Sequence, residues 1–504
     1  MNLTSIKTLG ELKKSGYQPL PIKDELRRNL IASLRNGFQP FKGILGYDDT
    51  VIPNIQTAIL SRHNIILLGL RGQAKTRIAR LLINLLDEYI PIVEGSELND
   101  DPLNPLSRMA KDIIKQYSDE TKIRWIHRSE RYTEKLATPD VSVADLIGDV
   151  DPIKAATLKL PYSDERVIHF GLIPRSHRSI FVINELPDLQ ARIQVALFNI
   201  LQEHDIQIRG FKLRLPLDIQ FVFTANPEDY TSRGSIVTPL KDRIDSQIST
   251  HYPKTVEISK QITIQESKLT AEQKSSIKTY KLLNDLVEQI AFEARKSEYI
   301  DLKSGVSARL TISAYENLIS TAERRMIINN EKNTDLRISD LYGIIPAITG
   351  KIELVYEGEQ EGPLKVAYIL IGKAIKSLFS EYFPTPDKLK NKTNIENFYQ
   401  NIINWFSKGN ELDIFSTLSN DKYENMLLSV NGLVDLVKKY FPKEEFHTQL
   451  LLMEFALHGL AEFSMVSKFM LEGEIQFKDM LSSMFTMSKG EENEDDDIDS
   501  EFFK

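Results

Sequence analysis

Cysteine is absent from the 504 residues of the sequence. A disulfide framework, a thiol nucleophile, a thiolate zinc site and an iron–sulfur cluster are therefore all excluded. Long hydrophobic runs are missing as well, because an apolar stretch such as Ile65–Leu68 is far shorter than the roughly 18 residues of a membrane helix. The first residues, MNLTSIKTLGELKK, lack the compact apolar segment of a secretory signal. We therefore expect a cytoplasmic protein without a membrane segment.

Over most of the chain, neither positive nor negative charge predominates. The sequence has 63 basic and 71 acidic side chains and a formal net charge of −8, and eight of the acidic side chains lie in residues 489–504. The remainder is nearly neutral, so the overall balance does not indicate nucleic-acid binding. We expect residues 489–504 to form an acidic disordered tail, with docking of a basic partner as the alternative.

Short apolar segments alternate with helical patterns from about residue 41 onwards. Segments with the composition of β-strands lie at residues 65–68, 123–126, 179–183 and 219–224. The stretch from Leu189 to Gln202 places its apolar residues on one face of a helix. Alternating strands and helices predict an α/β core with a parallel sheet and helices on both sides.

Helical patterns dominate beyond residue 262, and a segment rich in Pro, Lys and Asn at 384–394 interrupts them. Residues 450–471 are apolar nearly all round and predict a buried or interface helix. The predicted domains are an N-terminal helix and linker (1–40), the α/β core (41–255), a first helical region (262–355), a second helical domain (356–488) and the acidic tail (489–504).

The first strand leads into a loop of the phosphate-binding type. Residues 69–76 read GLRGQAKT and match the pattern G-x-x-x-x-G-K-[ST], except that Ala74 replaces the second glycine. In such a loop, backbone N–H groups surround the β-phosphate, the lysine contacts the β- and γ-phosphates, and the hydroxyl ligates Mg²⁺. The predicted nucleotide contacts are Gly69, Gly72, Gln73, Ala74, Lys75, Thr76 and Arg77. A strand–helix turn with an incidental Lys-Thr pair is the alternative interpretation.

Polar residues follow the other two buried strands. Asn184 and Glu185 come after residues 179–183, where phosphate-loop ATPases usually carry Asp-Glu. The first of these positions holds Mg²⁺ and the second polarises the attacking water. Asn184 can accept a hydrogen bond from a metal-bound water but brings no negative charge, and Glu185 is the expected base. Helix capping is the alternative role for Glu185.

Three further residues are candidates for contact with the reacting groups. Asn226 follows residues 219–224, and from a strand lying between the other two it could orient the same water. Arg243 and Arg233 could reach a nucleotide that is bound to a neighbouring subunit and stabilise charge in the transition state. A surface salt bridge is the alternative for either arginine.

Taken in order, these motifs resemble the AAA+ ATPases, specifically the clade of the magnesium-chelatase ATPase subunit and the MoxR-type ATPases. The resemblance covers about residues 40–355. Residues 148–151 (GDVD) look like the start of the helix-two insertion of this clade, and residues 169–177 are similar to its approach to the second nucleotide strand. Residues 205–215 alternate around an Arg-Gly turn and match the hairpin of the family.

This resemblance implies an AAA+ phosphate-loop core that is followed by an all-α lid (262–355) and a helical C-terminal region. It implies that Asn226 is the sensor-one residue, Arg243 the arginine finger and Arg309 the sensor-two arginine, so the expected catalytic residues are these three and Glu185. Thr76 and Asn184 are the expected metal ligands, and ATP and Mg²⁺ are the expected cofactors.

We expect an ATPase, converting ATP and water to ADP and phosphate, whose subunits form a homo-oligomer, specifically a hexameric ring. The resemblance implies that hydrolysis drives remodelling of a partner protein with a von Willebrand factor A domain, in a chaperone-like role or in metal insertion. Magnesium insertion into a porphyrin is not expected, because the eight histidines show no clustered ligand spacing.

Two alternatives from other classes stay open. The first is an ATP-binding scaffold with little hydrolysis, because Ala74 and Asn184 depart from the pattern. The second is a motor that acts on nucleic acid or on a polymerase. The nearly neutral body counts against it, whereas Arg209, Lys212 and Arg214 of the predicted hairpin favour it.

Overall fold

A computed structural model describes residues 3–161, 164–203, 206, 215–227, 236–386, 398–471 and 474–480. The predictions for Arg233, for the acidic tail and for most of the hairpin at 205–215 and of the segment at 384–394 lie outside these residues. The chain divides into two compact units, Met1–Tyr252 and Pro253–Lys504.

A five-stranded parallel sheet forms the centre of the first unit. With strands numbered in chain order, its sheet order is β4 (Tyr132–Leu136), β7 (Ser179–Asn184), β8 (Ile219–Ala225), β1 (Ile65–Leu68) and β9 (Ser246–Ser249). Each neighbouring pair is parallel. Strand β8 lies between β7 and β1, as predicted, so the carboxyl ends of these three strands meet at one edge.

Helices cover both faces of this sheet. Ile180 and Val182 of β7 belong to a core cluster with Ile78 of the following helix, whereas Phe181 and Ile183 belong to the cluster on the opposite face. Every residue of β7 and β8 is buried, which explains why both appear in the sequence as nearly continuous apolar runs. The structure confirms the predicted fold class, an α/β core with a parallel sheet flanked by helices.

The helices of the first unit are α1 (Leu9–Lys14), α2 (Ile22–Asn36), α3 (Val51–Leu60), α4 (Lys75–Leu81), α5 (Arg108–Tyr117), α6 (Val143–Leu146), α7 (Pro152–Leu158), α8 (Leu172–Arg175), α9 (Ala191–Glu203) and α10 (Thr238–Asp242). The phosphate loop is followed by α4, which a 3-10 helix, Leu82–Leu85, continues. The predicted helix over residues 189–202 is α9.

Two antiparallel pairs lie outside the central sheet: β2 (Tyr89–Val93) with β3 (Ile123–His127), and β5 (Gly148–Val150) with β6 (Ile168–Phe170). The expectation that residues 123–126 belong to the parallel sheet is therefore wrong, although they do form a strand. The sheet is completed instead by β4 and β9, which the sequence analysis did not predict. Both are edge strands with polar residues, so they lack the apolar pattern of buried strands.

The second unit is largely helical. Its helices are α11 (Val256–Glu266), α12 (Ala271–Ser276), α13 (Lys281–Ala294), α14 (Arg309–Ile328), α15 (Ile345–Thr349), α16 (Tyr356–Glu361), α17 (Pro363–Tyr382), α18 (Phe398–Ser407), α19 (Asn420–Leu428), α20 (Leu433–Tyr440) and α21 (Phe446–Glu462). One core cluster extends from Ile277 to Phe477. The division of this region at residue 355 stays a prediction.

Short strands also occur in the second unit. Strand β10 (Ile277–Lys278) pairs with β11 (Thr334–Asp335), and β12 (Leu412–Phe415), β14 (Glu474–Lys478) and β13 (Ser467–Leu471) form an antiparallel sheet in that order. The helix predicted over residues 450–471 was therefore wrong at its end, because α21 stops at Glu462 and the chain enters β13. Over the described ranges, no helix combines the length and the apolar character that a membrane crossing requires.

Candidate nucleotide-binding site

The phosphate loop connects β1 to α4 at the edge where the central strands end. The backbone N–H of Gly69 donates to the carbonyl of Ala225 at 3.1 Å, which joins the start of the loop to the end of β8. Gly72 and Ala74 both have left-handed backbone conformations, with φ of 74° and 58°. The left-handed conformation costs an alanine about 1–2 kcal/mol. Ala74 therefore adds strain to the loop, while its backbone keeps the conformation that glycine adopts readily.

Lys75 lies across this loop. Its side chain is buried, and its ammonium donates to the carbonyl oxygens of Gly69 and of Leu70, the latter at 3.1 Å. A lysine held in this way has its charge beside the loop backbone, whose N–H groups form an anion-binding concavity in proteins of this kind. Thr76 and Arg77, the next two residues of α4, are half-buried.

Gln73 is hydrogen-bonded to a residue that the sequence analysis missed. Thr250, directly after β9, donates its hydroxyl to Oε1 of Gln73 at 2.7 Å. A Cβ atom on Gly69 would lie 1.9 Å from that threonine hydroxyl, so position 69 accepts only glycine. Gln73 is therefore buried and supports the loop. Its direct contact with a nucleotide stays a prediction.

Two tyrosines also support the loop backbone. The Tyr47 hydroxyl lies 3.1 Å from the carbonyl oxygen of Gln73, and the Tyr252 hydroxyl donates to the carbonyl of Arg71 at 2.9 Å. Burial raises the pKa of Tyr47 to about 12, so this hydroxyl keeps its proton. Neither tyrosine belongs to a local motif, and no sequence signal indicates them, because their partners are distant in the chain.

Asn184 ends β7 and is almost fully buried. Its Nδ2 donates to Oε1 of Glu134 at 2.7 Å, and its Oδ1 accepts the hydroxyl of Thr224 at 3.1 Å. The same hydroxyl oxygen accepts the backbone N–H of Glu185 at 3.1 Å. A carboxylate accepts and does not donate, so Glu134 determines which way the amide of Asn184 is oriented.

Glu185, the predicted base, has a left-handed backbone with φ of 54°. This conformation is strained for any residue but glycine, and strained residues of this kind concentrate at functional sites. Its side chain does not cap the short 3-10 helix Leu186–Asp188 that follows it. The role of Glu185 as base and its alternative, capping of the helix at 189–202, both stay predictions.

Glu134 of β4 is the centre of a hydrogen-bond network that the sequence analysis also missed. It accepts two hydrogen bonds from Arg80 of α4, at 2.9 and 3.1 Å, one from the Tyr132 hydroxyl at 3.1 Å, and the one from Asn184. Burial acts to raise the pKa of Glu134, but these hydrogen bonds outweigh it and hold the pKa below its ordinary value. Glu134 is therefore ionised at neutral pH.

The remaining predicted residues lie in three places. Asn226 is buried and directly follows β8, at the strand end to which the loop is bonded. Arg243 follows α10; its Nε donates to Oε1 of Gln202 at 2.9 Å, and its guanidinium lies 5.3 Å from the ring centre of Phe198. Arg309 is the exposed first residue of α14 in the second unit. The sensor and finger roles of these three residues stay predictions.

The oxygen atoms at this edge suit Mg²⁺. Thr76 and Arg80 are four residues apart on α4 and so share a face, and Arg80 contacts the carboxylate that binds Asn184. Mg²⁺ in nucleotide sites is held by few protein oxygens together with substrate phosphates and waters. The described part of the chain has no cluster of three or more His, Asp or Glu side chains that could hold a metal ion.

The loop follows the central strand β1, and polar residues lie at the ends of β7 and β8 in the same parallel sheet, an arrangement typical of α/β proteins of the phosphate-loop type. No protein-family model matches the chain. No curated protein matches it at a significant level.

Solved structures that are similar to the chain are AAA+ ATPases, the class that the motifs resemble. A complex of the BchI and BchD subunits of magnesium chelatase has 18% identity and a TM-score of 0.34, over 64% of this chain and 98% of that chain. A putative ATPase from Cytophaga hutchinsonii has 15% identity and a TM-score of 0.28, over 72% and 97% of the two chains. A RuvB variant from Thermotoga maritima has 10% identity and a TM-score of 0.35, over 71% and 85%. At these identities the likeness concerns the fold alone.

Proposed function

We propose that this chain is an AAA+ ATPase of the magnesium-chelatase and MoxR type, which hydrolyses ATP to ADP and phosphate. The observation that carries the proposal is the arrangement at one sheet edge. There, Lys75 lies across a left-handed phosphate loop, and Asn184, Thr224 and the strained Glu185 form a hydrogen-bonded chain at the adjoining strand ends.

The residues of the site have different roles in hydrolysis. The loop backbone binds the phosphates, and Lys75 exchanges its carbonyl partners for oxygens of the β- and γ-phosphates. Mg²⁺, when bound by Thr76 and by Asn184 through a water, supplies positive charge to the phosphate oxygens. Asn226 orients the attacking water, and the Glu185 carboxylate accepts its proton as the oxygen bonds to the γ-phosphorus and the bond to ADP breaks.

The further proposal is that subunits assemble into a ring, specifically a hexamer, and that hydrolysis remodels a partner protein. Arg243 of one subunit then completes the site of the next and couples hydrolysis to ring motion. The resemblance of the motifs supports this, and it suggests a partner with a von Willebrand factor A domain and chaperone-like work. The mass of the particle in Mg-ATP, compared with its mass without nucleotide, tests ring assembly.

Steady-state hydrolysis of ATP by the purified chain tests the catalytic proposal. Glu185→Gln should bind ATP but lose turnover, because it lacks the base, whereas Lys75→Ala should lose nucleotide binding. Glu120→Gln, which removes an exposed carboxylate of the same unit, is the matched control and should keep full activity. Normal turnover in Glu185→Gln would remove Glu185 from the role of base.

A second candidate function is an ATP-binding scaffold with little hydrolysis. It is favoured by the strained Ala74 and by the neutral amide at position 184. Measurable Mg-ATP binding by the wild-type chain without turnover, also after addition of co-purifying proteins, would support it. The nucleic-acid alternative depends on residues 209–214, and DNA binding that weakens steeply with salt would support it.

A further inference from the structure

A carboxylate lies next to the one position of the site that lacks its usual charge. Position 184, where phosphate-loop ATPases carry an aspartate, is a neutral amide, and Oε1 of Glu134 is 2.7 Å from its Nδ2. Glu134 comes from β4, the neighbouring strand, and lies 50 residues earlier in the chain. A negative charge is therefore present at this edge of the sheet, but it lies on β4 and not at the end of β7.

The sheet register explains how the two side chains meet. Glu134 is the parallel partner of Val182, and Val182 is two residues before Asn184. Because side chains alternate along a strand, all three lie on the same face of the sheet. This is the face of α4, since Val182 packs with Ile78 and Ala79 of that helix. Glu134 therefore lies on the side of the sheet where the loop, Thr76 and a bound nucleotide are expected.

Only one of the two positions can carry a charge. An aspartate at 184 would place two carboxylates within hydrogen-bond distance, and like charges so close force one group to bind a proton. The amide removes this conflict and adds a hydrogen bond to the carboxylate. Asn184 and Glu134 are therefore a compatible pair, in which one side chain is neutral and the other is charged.

Arg80 stabilises the carboxylate of Glu134 by two hydrogen bonds and offsets part of its charge at the site. Its side chain is 62% exposed, whereas that of Glu134 is 22% exposed. Water screens the exposed guanidinium much more strongly than the half-buried carboxylate. Arg80 and Tyr132 hold the carboxylate of Glu134 in place, and its remaining interaction is with the amide of Asn184.

We propose that Glu134 is a positioning residue that supplies, through Asn184, the negative character which the Mg²⁺-nucleotide site requires. A carboxylate that accepts from an amide N–H polarises the amide and makes its carbonyl oxygen a stronger acceptor, as outer carboxylates do for other metal ligands. Oδ1 of Asn184 has two lone pairs, one for Thr224 and one for a water on the metal. This inference rests on the proposed function, because it concerns the same nucleotide site.

The test is the dependence of nucleotide binding on Mg²⁺, measured with a fluorescent ATP analogue over a series of free Mg²⁺ concentrations. We expect Glu134→Gln to require about 10-fold more Mg²⁺ or higher for the same affinity, in line with the loss of an outer carboxylate. Asn184→Asp should show a similar deficit, because its two carboxylates compete. The double variant Glu134→Gln/Asn184→Asp restores one amide and one carboxylate in exchanged places, and it should return to within about threefold of wild type.

Glu130→Gln is the matched control, because it removes an exposed carboxylate near β4 that does not contact Asn184. Thermal unfolding of each variant without nucleotide separates folding defects from binding defects. If Asn184→Asp does not fold, the wild-type chain, Glu134→Gln and the double variant still decide the question.

Three results would overturn the inference. The first is a Glu134→Gln variant that unfolds earlier but needs no more Mg²⁺ than wild type, which would make Glu134 a structural residue only. The second is a double variant that stays as deficient as the single ones. The third is a wild-type chain that binds the analogue equally well without Mg²⁺, which would leave nucleotide binding intact. A wild-type chain that binds no nucleotide would instead overturn the proposed function, and this inference with it.

Discussion

Two of the nine non-glycine residues with a left-handed backbone in the described part of the chain lie in the candidate site. Ala74 and Glu185 both have left-handed conformations, with φ of 58° and 54°, and they lie in the loop and at the end of β7 respectively. A non-glycine residue in this region costs about 1–2 kcal/mol, which the surrounding structure has to offset. At Ala74 the strain is the physical reason why the common loop pattern has glycine at this position.

Replacement of Ala74 by glycine should therefore stabilise the chain. Relief of the left-handed strain exceeds the extra entropy that glycine has in the unfolded chain, and we expect a gain of about 0.5–1 kcal/mol in the free energy of unfolding in urea. The control is Ala32→Gly at an exposed position within the right-handed helix α2, which should lose about 1 kcal/mol. A loss of stability in both variants would contradict the strain argument.

The buried residue His177 makes the stability of the protein depend on pH. Its Nδ1 accepts the backbone N–H of Asp218 at 3.1 Å, and burial lowers its pKa to about 4. The unfolded chain binds this proton with an ordinary pKa near 6.5, so stability is lost as the pH falls from about 6.5 towards 4. Burial has the opposite effect on the carboxyl of Asp218, whose pKa it raises to about 6.

Comparison with His177→Asn isolates the histidine, because both proteins keep Asp218. Between pH 7 and pH 5 the wild-type chain should lose about 2 kcal/mol more free energy of unfolding than the variant, because asparagine does not titrate. Urea unfolding at both pH values measures this difference. Parallel stability curves for the two proteins would show that His177 is not the group responsible.

At the scale of elements, a buried ion pair joins helix α2 to the chain that enters β4. Arg131 donates through Nη1 and Nη2 to the two carboxylate oxygens of Glu25, each at 2.7 Å, and both side chains are almost completely buried. The Nε of Arg131 donates to the carbonyl of Arg178, just before β7. The pair therefore connects a helix to two strands of the central sheet.

Removal of one partner of this pair should cost more than removal of both. Arg131→Met leaves the charge of Glu25 buried without its partner, and we expect a loss of about 3–5 kcal/mol in the free energy of unfolding. The double variant Glu25→Leu/Arg131→Met leaves no uncompensated charge and should recover most of that loss. Urea unfolding of the wild-type chain and of both variants measures this. Equal losses in the single and double variants would mean that the lost packing, and not the charge, determines the cost.

For the molecule as a whole, we expect a site that is shared between subunits. In the proposed ring, Lys75 and Glu185 come from one subunit, and Arg243 is expected to act on the nucleotide of its neighbour. Subunits with different defects should therefore complement each other only when the defects affect different halves of the shared site.

Mixing of Lys75→Ala with Arg243→Ala subunits should restore part of the ATPase activity that neither variant has alone. Some interfaces then combine an intact loop with an intact finger. The control is a mixture of Lys75→Ala with Glu185→Gln, in which every site has a defect, and it should stay inactive. Activity in the control, or none in the first mixture, would contradict a finger that acts between subunits.

Local patterns in the sequence account for much of the fold and part of the site. The apolar runs of β1, β7 and β8 predicted buried parallel strands, because a strand covered on both faces has to be apolar along its whole length. The polar edge strands β4 and β9 carry no such pattern, and the apolar segment after Glu462 did not reveal the change from helix to strand. In these places tertiary pairing decides the structure.

Local patterns of residue types predicted the loop at 69–76, the polar residues at the strand ends and the α/β class, because each pattern involves residues that are close together in the chain. The surroundings of these residues depend on contacts between distant parts of the chain. Thr250 contacts Gln73 across 177 residues, and Glu134 contacts Asn184 across 50. Such contacts leave no local pattern, since sheet pairing and burial bring the partners together. The absent charge at position 184 was visible in the sequence, but the carboxylate beside it became visible only when the strands were placed next to each other.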